Sequence, residues 1–126
     1  MRYLSMIRID EKTAKQPSDR LQQEMGKLIE EWTKSGKLVR TAGLRPTKDG
    51  VRVRSNYGEI STTDGPFTES KEVVGGYAIL DARSQEEAVA GARRVVELHQ
   101  KHWPGWEGSV EVRRISEPEE GPPTGA

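Results

Sequence analysis

Asp64, Lys71 and Glu72 stand close together around a Gly65-Pro66 corner, at the head of the apolar run Val73-Val74-Gly75-Gly76-Tyr77-Ala78-Ile79-Leu80. Two carboxylates and an amine are the groups that move protons, so elimination or isomerisation suits them better than nucleophilic attack. Pro66 fixes its own φ and biases Gly65 towards an extended conformation, which would gather Asp64, Glu69, Lys71 and Glu72 where a buried strand begins. If the chain is extended there, Lys71 and Glu72 point to opposite sides, and one of them faces the interior or a cleft. An interior Lys71 beside Asp64 reads first as a charge pair and second as an amine with a pKa lowered by burial. A plainer role competes with both. An Asp before such a corner accepts backbone N–H bonds to hold the turn, and a charged loop keeps an apolar strand soluble.

Tyr77 and Tyr3 add hydroxyl donors on strands, and Arg40 adds a cation that could hold an anion, so these three are the ligand-binding candidates. Arg52 and Arg54 share one strand face and read as its solvated side. His99 lies on the apolar stripe of a helix and reads as a satisfied core or boundary histidine, while His102 reads as exposed. Two histidines without a third ligand at a recognisable spacing give no metal site. Trp103 and Trp106 flank a Pro-Gly turn, where they plug the end of the core or form a lid. The chain lacks Gly-x-Gly-x-x-Gly, P-loop, Gly-x-Ser-x-Gly and His-Glu-x-x-His patterns, so no cofactor is expected.

The elements that must position these residues follow from periodicity. Arg2 to Ile9 alternates as a strand, with Tyr3, Ile7 and Ile9 on one face and Leu4 and Met6 on the other. After a polar loop from Asp10 to Pro17, Ser18 caps a helix carrying Leu21, Met25, Leu28, Ile29 and Trp32, and Gly36 stops it. Leu38 to Leu44 is a second strand, followed by Val51 to Arg54, half-buried, and Glu59 to Thr63, the three forming a meander that leads to Asp64. The run from Val73 to Leu80 is apolar on both faces and suits a central strand. Gly75 and Gly76 within it mark a close approach to the backbone. Ser84-Gln85-Glu86-Glu87 is a capping box opening a helix with Ala88, Val89, Ala92, Val95, Val96 and His99 on one face. Ser109 to Ile115 is a final strand. Residues 1–116 thus make one α+β domain of ferredoxin-like type, an antiparallel sheet with two helices on one face. Residues 117–126 have nothing large and apolar to bury and read as a disordered tail.

Composition bounds what this domain can do. The chain has 126 residues, 33% hydrophobic and 32% charged, a thin allotment for a core. With no helix left for the second face of the sheet, a twofold copy is its simplest cover. Lys+Arg and Asp+Glu both count 20, so no net field draws the chain to nucleic acid or to an anionic membrane. The stacking aromatics and basic face of an RNA-recognition module are lacking as well. There is no cysteine, hence no disulfide and no thiolate chemistry, and no apolar stretch long enough to span a bilayer; the expected location is the cytoplasm.

The run Asp64-Gly65-Pro66-Phe67-Thr68-Glu69-Ser70-Lys71-Glu72, followed by Gly75-Gly76-Tyr77, resembles the signature of the YCII-related family in its DGPF-domain branch. Arg2-Tyr3-Leu4, Gly43-Leu44-Arg45-Pro46 and Ser109-Val110-Glu111-Val112-Arg113 support the likeness, which runs from about residue 1 to 117. The resemblance implies a dimeric α+β barrel, two ferredoxin-like subunits packed through their sheets. For function it implies two readings of different kinds. One is a small-molecule site, binding or catalytic, near the dimer interface; some relatives in the wider family are lyases acting on chlorinated rings through a His-Asp pair. His99 and His102 do not match the positions of that histidine, so the pair is not carried over. The other is a non-enzymatic interaction module, because DGPF proteins are often encoded beside or fused to extracytoplasmic-function sigma factors.

Overall fold

The computed structural model describes residues 1–12 and 16–122. Its main sheet has four antiparallel strands in the order β2-β5-β1-β6: Leu38–Gly43, Val73–Asp81, Arg2–Ile9 and Gly108–Arg114. Helix α1, Asp19–Lys34, links β1 to β2, and α2, Gln85–His102, links β5 to β6. The two βαβ units interleave, since β5 lies between β1 and β2 while β1 lies between β5 and β6. Both helices cover the same face of the sheet. This is the expected ferredoxin-like α+β fold.

Local chemistry explains the helix ends. Ser18 accepts from Leu21 N at 3.1 Å, and Gly36, at φ 80°, takes the left-handed turn after α1 that glycine accepts most readily. Ser84 caps α2 by accepting from Glu87 N, but Glu87 does not reach back to Ser84. Its Oε2 instead accepts from the backbone N and the guanidinium of Arg83, so the expected capping box is only half formed. The Ser18 hydroxyl also donates to His102 O, tying the start of α1 to the end of α2.

Strand alternation sorts the sheet residues by face. Tyr3, Ser5, Leu80 and Ala82 are buried on the helix side, where they meet Leu21, Leu28 and Trp32 of α1 and Ala88, Ala92 and His99 of α2. Full burial of a side chain such as Leu80 contributes about 2–3 kcal/mol. The helices approach closely because α2 carries Gly91 at the contact, where an added Cβ would stand 3.4 Å from Trp32. On the opposite face, the registers align Arg40, Ile79, Leu4 and Arg113 across the four strands, and then Ala42, Tyr77, Met6 and Glu111. No element among the described residues covers that face.

The middle of the chain departs from the expected meander. Strands β3, Val51–Asn56, and β4, Glu59–Asp64, pair only with each other. The β2 edge that might have received them stays free because Arg45-Pro46 and a 3₁₀ turn at Thr47–Asp49 lead the chain away. The alternation of Val51 and Val53 therefore does not mean half-burial: they are 57% and 67% exposed, with Ile60 on the same hairpin face at 79%. At the tip, Tyr57 has φ 52° and Gly58 φ 86°, the two positive values that a tight hairpin turn requires.

The segment expected to be a loop between β1 and α1 is a turn at Glu11 and Lys12, and residues 13–15 of it lie outside the described part. In the segment expected to be a disordered tail, Pro118–Glu120 form one 3₁₀ turn held by an ion pair between Arg114 and Glu120. Residues 123–126 lie outside the described part.

Candidate functional site

The apolar patterning of α1, α2 and the sheet leaves one end of their interface unfilled. Ile7, Gly76 and Gly43 lie side by side across β1, β5 and β2 on the helix face, so two adjacent strands offer no side chain there. Above this floor is a cavity of about 320 Å³, open to solvent, walled by Leu21 and Met25 of α1, Val95 and His99 of α2, and Trp103. Ser5 completes the floor. The volume is at the lower end of the roughly 300–1,000 Å³ typical of small-molecule sites. A Cβ added at Gly43 would meet nothing within 4 Å, whereas one at Gly76 would come 3.2 Å from Ala42 O. Gly43 thus leaves open space at the cavity floor, while Gly76 is the site of the close backbone approach expected at Gly75-Gly76.

His99 is the one ring base in the wall. It is buried, as its place on the apolar stripe predicted. Its Nδ1 lies 2.7 Å from Val95 O, and a carbonyl only accepts, so Nδ1 carries the proton and Nε2 has the free lone pair. Trp106, at 4.8 Å between ring centroids, and Trp103, at 6.3 Å, fix the ring's orientation. These tryptophans plug the end of the core, and Trp103 also lines the cavity. Loss of hydration on burial, partly opposed by the bond to Val95, pushes the His99 pKa below its ordinary value near 6.5. No Asp, Glu, Lys or Arg lines the cavity from α1, α2 or the sheet.

That depression has a measurable consequence. As pH falls below about 6.5, the unfolded chain takes up a proton at residue 99 that the folded chain resists, so stability must drop. The loss should begin near pH 6.5 and grow towards the lower folded-state pKa, at no more than about 1.4 kcal/mol per pH unit. Urea denaturation between pH 7.5 and 5 should show this slope in the wild type, and His99→Gln should flatten it. An equal slope in both proteins would assign the acid sensitivity to other groups.

The residues singled out from sequence are distributed differently. Asp64 and Lys71 are exposed and Glu72 is half-buried; none lines the cavity, and no ion pair joins them among the described residues. Glu69 is the charge of that corner which finds a partner, Arg52. Arg52 is therefore not simply solvated: its guanidinium also lies over the Phe67 ring, 4.0 Å from the centroid. The corner packs on the 3₁₀ turn instead of opening a cleft. Gly65 N donates to Gly50 O at 2.9 Å and Phe67 N to Thr47 Oγ1 at 3.1 Å, across a cis Gly65–Pro66 bond. Glu11 anchors that turn in its own right, accepting from Thr47 N at 2.7 Å and Thr47 Oγ1 at 2.6 Å.

Of the three ligand candidates, Tyr77 borders the cavity and is bonded to Arg40, and Tyr3 lies apart from both. Arg40 Nε donates to Tyr77 OH at 3.3 Å on the uncovered sheet face. Tyr3 is only 2% exposed and packs with Ala82 and Ala88 in the core. Sequence reasoning noticed His99 and the glycines but did not join them. Ser5, Gly43, Leu21 and Met25 carry no chemical signal of their own, and only the strand register brings them round one space. Among the described residues no group of three or more His, Cys, Asp or Glu side chains could hold a metal ion, and no helix is long and apolar enough to cross a membrane.

The corner of Gly65, Pro66 and Phe67, joined to the interleaved β-α-β frame, invites comparison with known proteins. A family model described as the YCII-related domain matches residues 1–117. The chain belongs to the YCII-related family. It is also similar to an uncharacterised protein of Rhizobium meliloti (strain 1021), 31% identical over 103 residues that cover 82% of this chain and 79% of the relative. Within this YCII-related domain the match takes in the corner, both helices and the cavity.

Proposed function

We propose that this chain is a homodimeric small-molecule-binding protein of the DGPF branch, working in the cytoplasm, whose ligand occupies the cavity between the helices and the sheet. The observation that carries the reading is the floor without side chains at Gly43 and Gly76 beneath a single oriented imidazole. The chemistry it suits is proton transfer in an elimination or isomerisation, with His99 Nε2 as the acceptor. In this reading Asp64, Lys71 and Glu72 serve the corner and not the cavity.

A second copy fits the uncovered sheet face. Its centre is apolar, with Leu4, Met6, Tyr77 and Ile79, and its edges are charged: Arg40 on β2, Glu111 and Arg113 on β6. Glu111 is already paired with Arg8 of its own subunit at 3.3 Å, so the apolar centre is what a twofold copy would cover. Arg8 Nε, on the same face, is buried without a partner among the described residues, and an unmet donor costs about 1–3 kcal/mol.

Cavity filling tests the binding reading. Gly43→Val projects a side chain into open space, so it should leave folding intact while removing the site. A thermal-shift screen of small, uncharged cyclic compounds should find some that stabilise the wild type and not Gly43→Val; at a hundred times Kd the gain is about 2.7 kcal/mol. Compounds that stabilise both proteins equally would place binding elsewhere.

One observation favours the second reading, an interaction module. The corner is sealed by Phe67 with its charges outward, and the hairpin beside it exposes Val51, Val53 and Ile60. An extracytoplasmic-function sigma factor is the partner that the family likeness implies. Calorimetric titration of a purified extracytoplasmic-function sigma factor against wild type and Val53→Thr/Ile60→Thr decides it: heat of binding lost in the variant supports the module, and no heat with the wild type counts against it.

A further inference from the structure

Resting on the proposed cavity, we infer that it selects a compact, uncharged, largely apolar molecule that donates one hydrogen bond, and that His99 Nε2 accepts it. The walls set the first terms. Leu21, Met25, Val95 and Trp103 are apolar, and among the described residues no Asp, Glu, Lys or Arg lines the space, so a charged ligand would lose hydration that these walls do not replace. The volume, about 320 Å³, suits a single ring or a short branched chain.

The polarity of the hydrogen bond follows from the ring's fixed state. Nδ1 is committed to the Val95 carbonyl, and the two tryptophans pack beside the ring, which favours this orientation and this tautomer. Nε2 is then an acceptor only, and burial keeps the ring neutral at pH 7 and above. The other polar side chains at the cavity are less suited to select a ligand. Thr41 Oγ1 donates to Tyr77 O at 2.9 Å, and Gln22 is exposed at the rim; Ser5 is the one buried hydroxyl, able to donate or accept. A ligand hydroxyl or N–H therefore finds an oriented acceptor, whereas a ketone oxygen of the same shape leaves the imidazole unpaired, the arrangement by which polar sites discriminate most strongly.

Cyclohexanol and cyclohexanone test this, being alike in shape and differing in that only the alcohol donates. In NMR titrations of the full chain at pH 7.5, both should shift residues of the cavity, with cyclohexanol bound about five- to tenfold more tightly, the worth of one net hydrogen bond. The ¹⁵N resonance of His99 Nε2 should move with the alcohol and stay with the ketone, a readout that needs no variant. His99→Phe should bring the two affinities together. Equal affinities in the wild type, or an unmoved Nε2 at saturation with the alcohol, overturn the inference and leave the binding cavity standing. If neither compound perturbs the cavity residues, and Gly43→Val behaves as the wild type does, the cavity reading falls and the inference with it.

Discussion

Gly65→Ala should destabilise the protein by at least about 2–3 kcal/mol, the range of a misplaced group in a packed site. A Cβ at residue 65 would fall 1.7 Å from Thr47 O and 2.6 Å from Thr47 C, both backbone atoms that cannot rotate away. The 3₁₀ turn cannot move aside cheaply, because Glu11 holds Thr47 by two short bonds and Phe67 N holds its hydroxyl. The corner cannot retreat either without breaking Gly65 N to Gly50 O. Asp64→Asn and Lys71→Met should each change stability by less than about 0.5 kcal/mol, as exposed side chains without described ion partners do. Urea denaturation of the three variants separates the readings of the motif. A mild Gly65→Ala together with a costly Asp64→Asn would return the corner to the role of a charged site.

The contrast shows which parts of this molecule were legible in its sequence. Where one residue type has one local use, inference worked: Ser18 and Gly36 bounded α1, and the apolar run Val73 to Leu80 became the central β5. Such signals are short-range, set by capping and alternation. The hairpin misled because Val51 and Val53 alternate as a half-buried strand does, while burial depends on what lies opposite, and none of the described residues does. At the corner, Asp64, Lys71 and Glu72 are the charges the sequence displays, whereas the bonds to the 3₁₀ turn involve Glu11 and Thr47, distant from them in sequence. The cavity is harder still to foresee, since it is made of missing side chains. Gly43 opposite Gly76 is a register fact, and register between β2 and β5 is decided by tertiary pairing across the intervening hairpin.

The uncovered sheet face carries the other large effect. Ile79 lies in its centre, between Leu4 and Arg40 across the strands, and not on the buried helix side. Wild type should sediment at micromolar concentration as a particle of twice the 14.1 kDa chain mass. Ile79→Lys should shift it to 14.1 kDa by setting two ammonium groups, one from each copy, within an apolar contact. A stable dimer of this kind buries at least about 1,200 Å² in total, and a buried unpaired charge costs about 3–5 kcal/mol, enough to dissociate it at that concentration. The subunit should stay folded, since Leu80, Trp32 and Tyr3 are buried by its own helices. Circular dichroism on the same sample checks this, and Arg40→Glu, at the rim, gives an independent arm: it should weaken association through the charged edge without touching the apolar centre. A wild type found only at 14.1 kDa would remove the twofold partner, and an Ile79→Lys variant that remains dimeric and folded would place the interface on another face. A dimer formed this way would spend the apolar sheet face on the second copy and leave the helix-side cavity open to solvent.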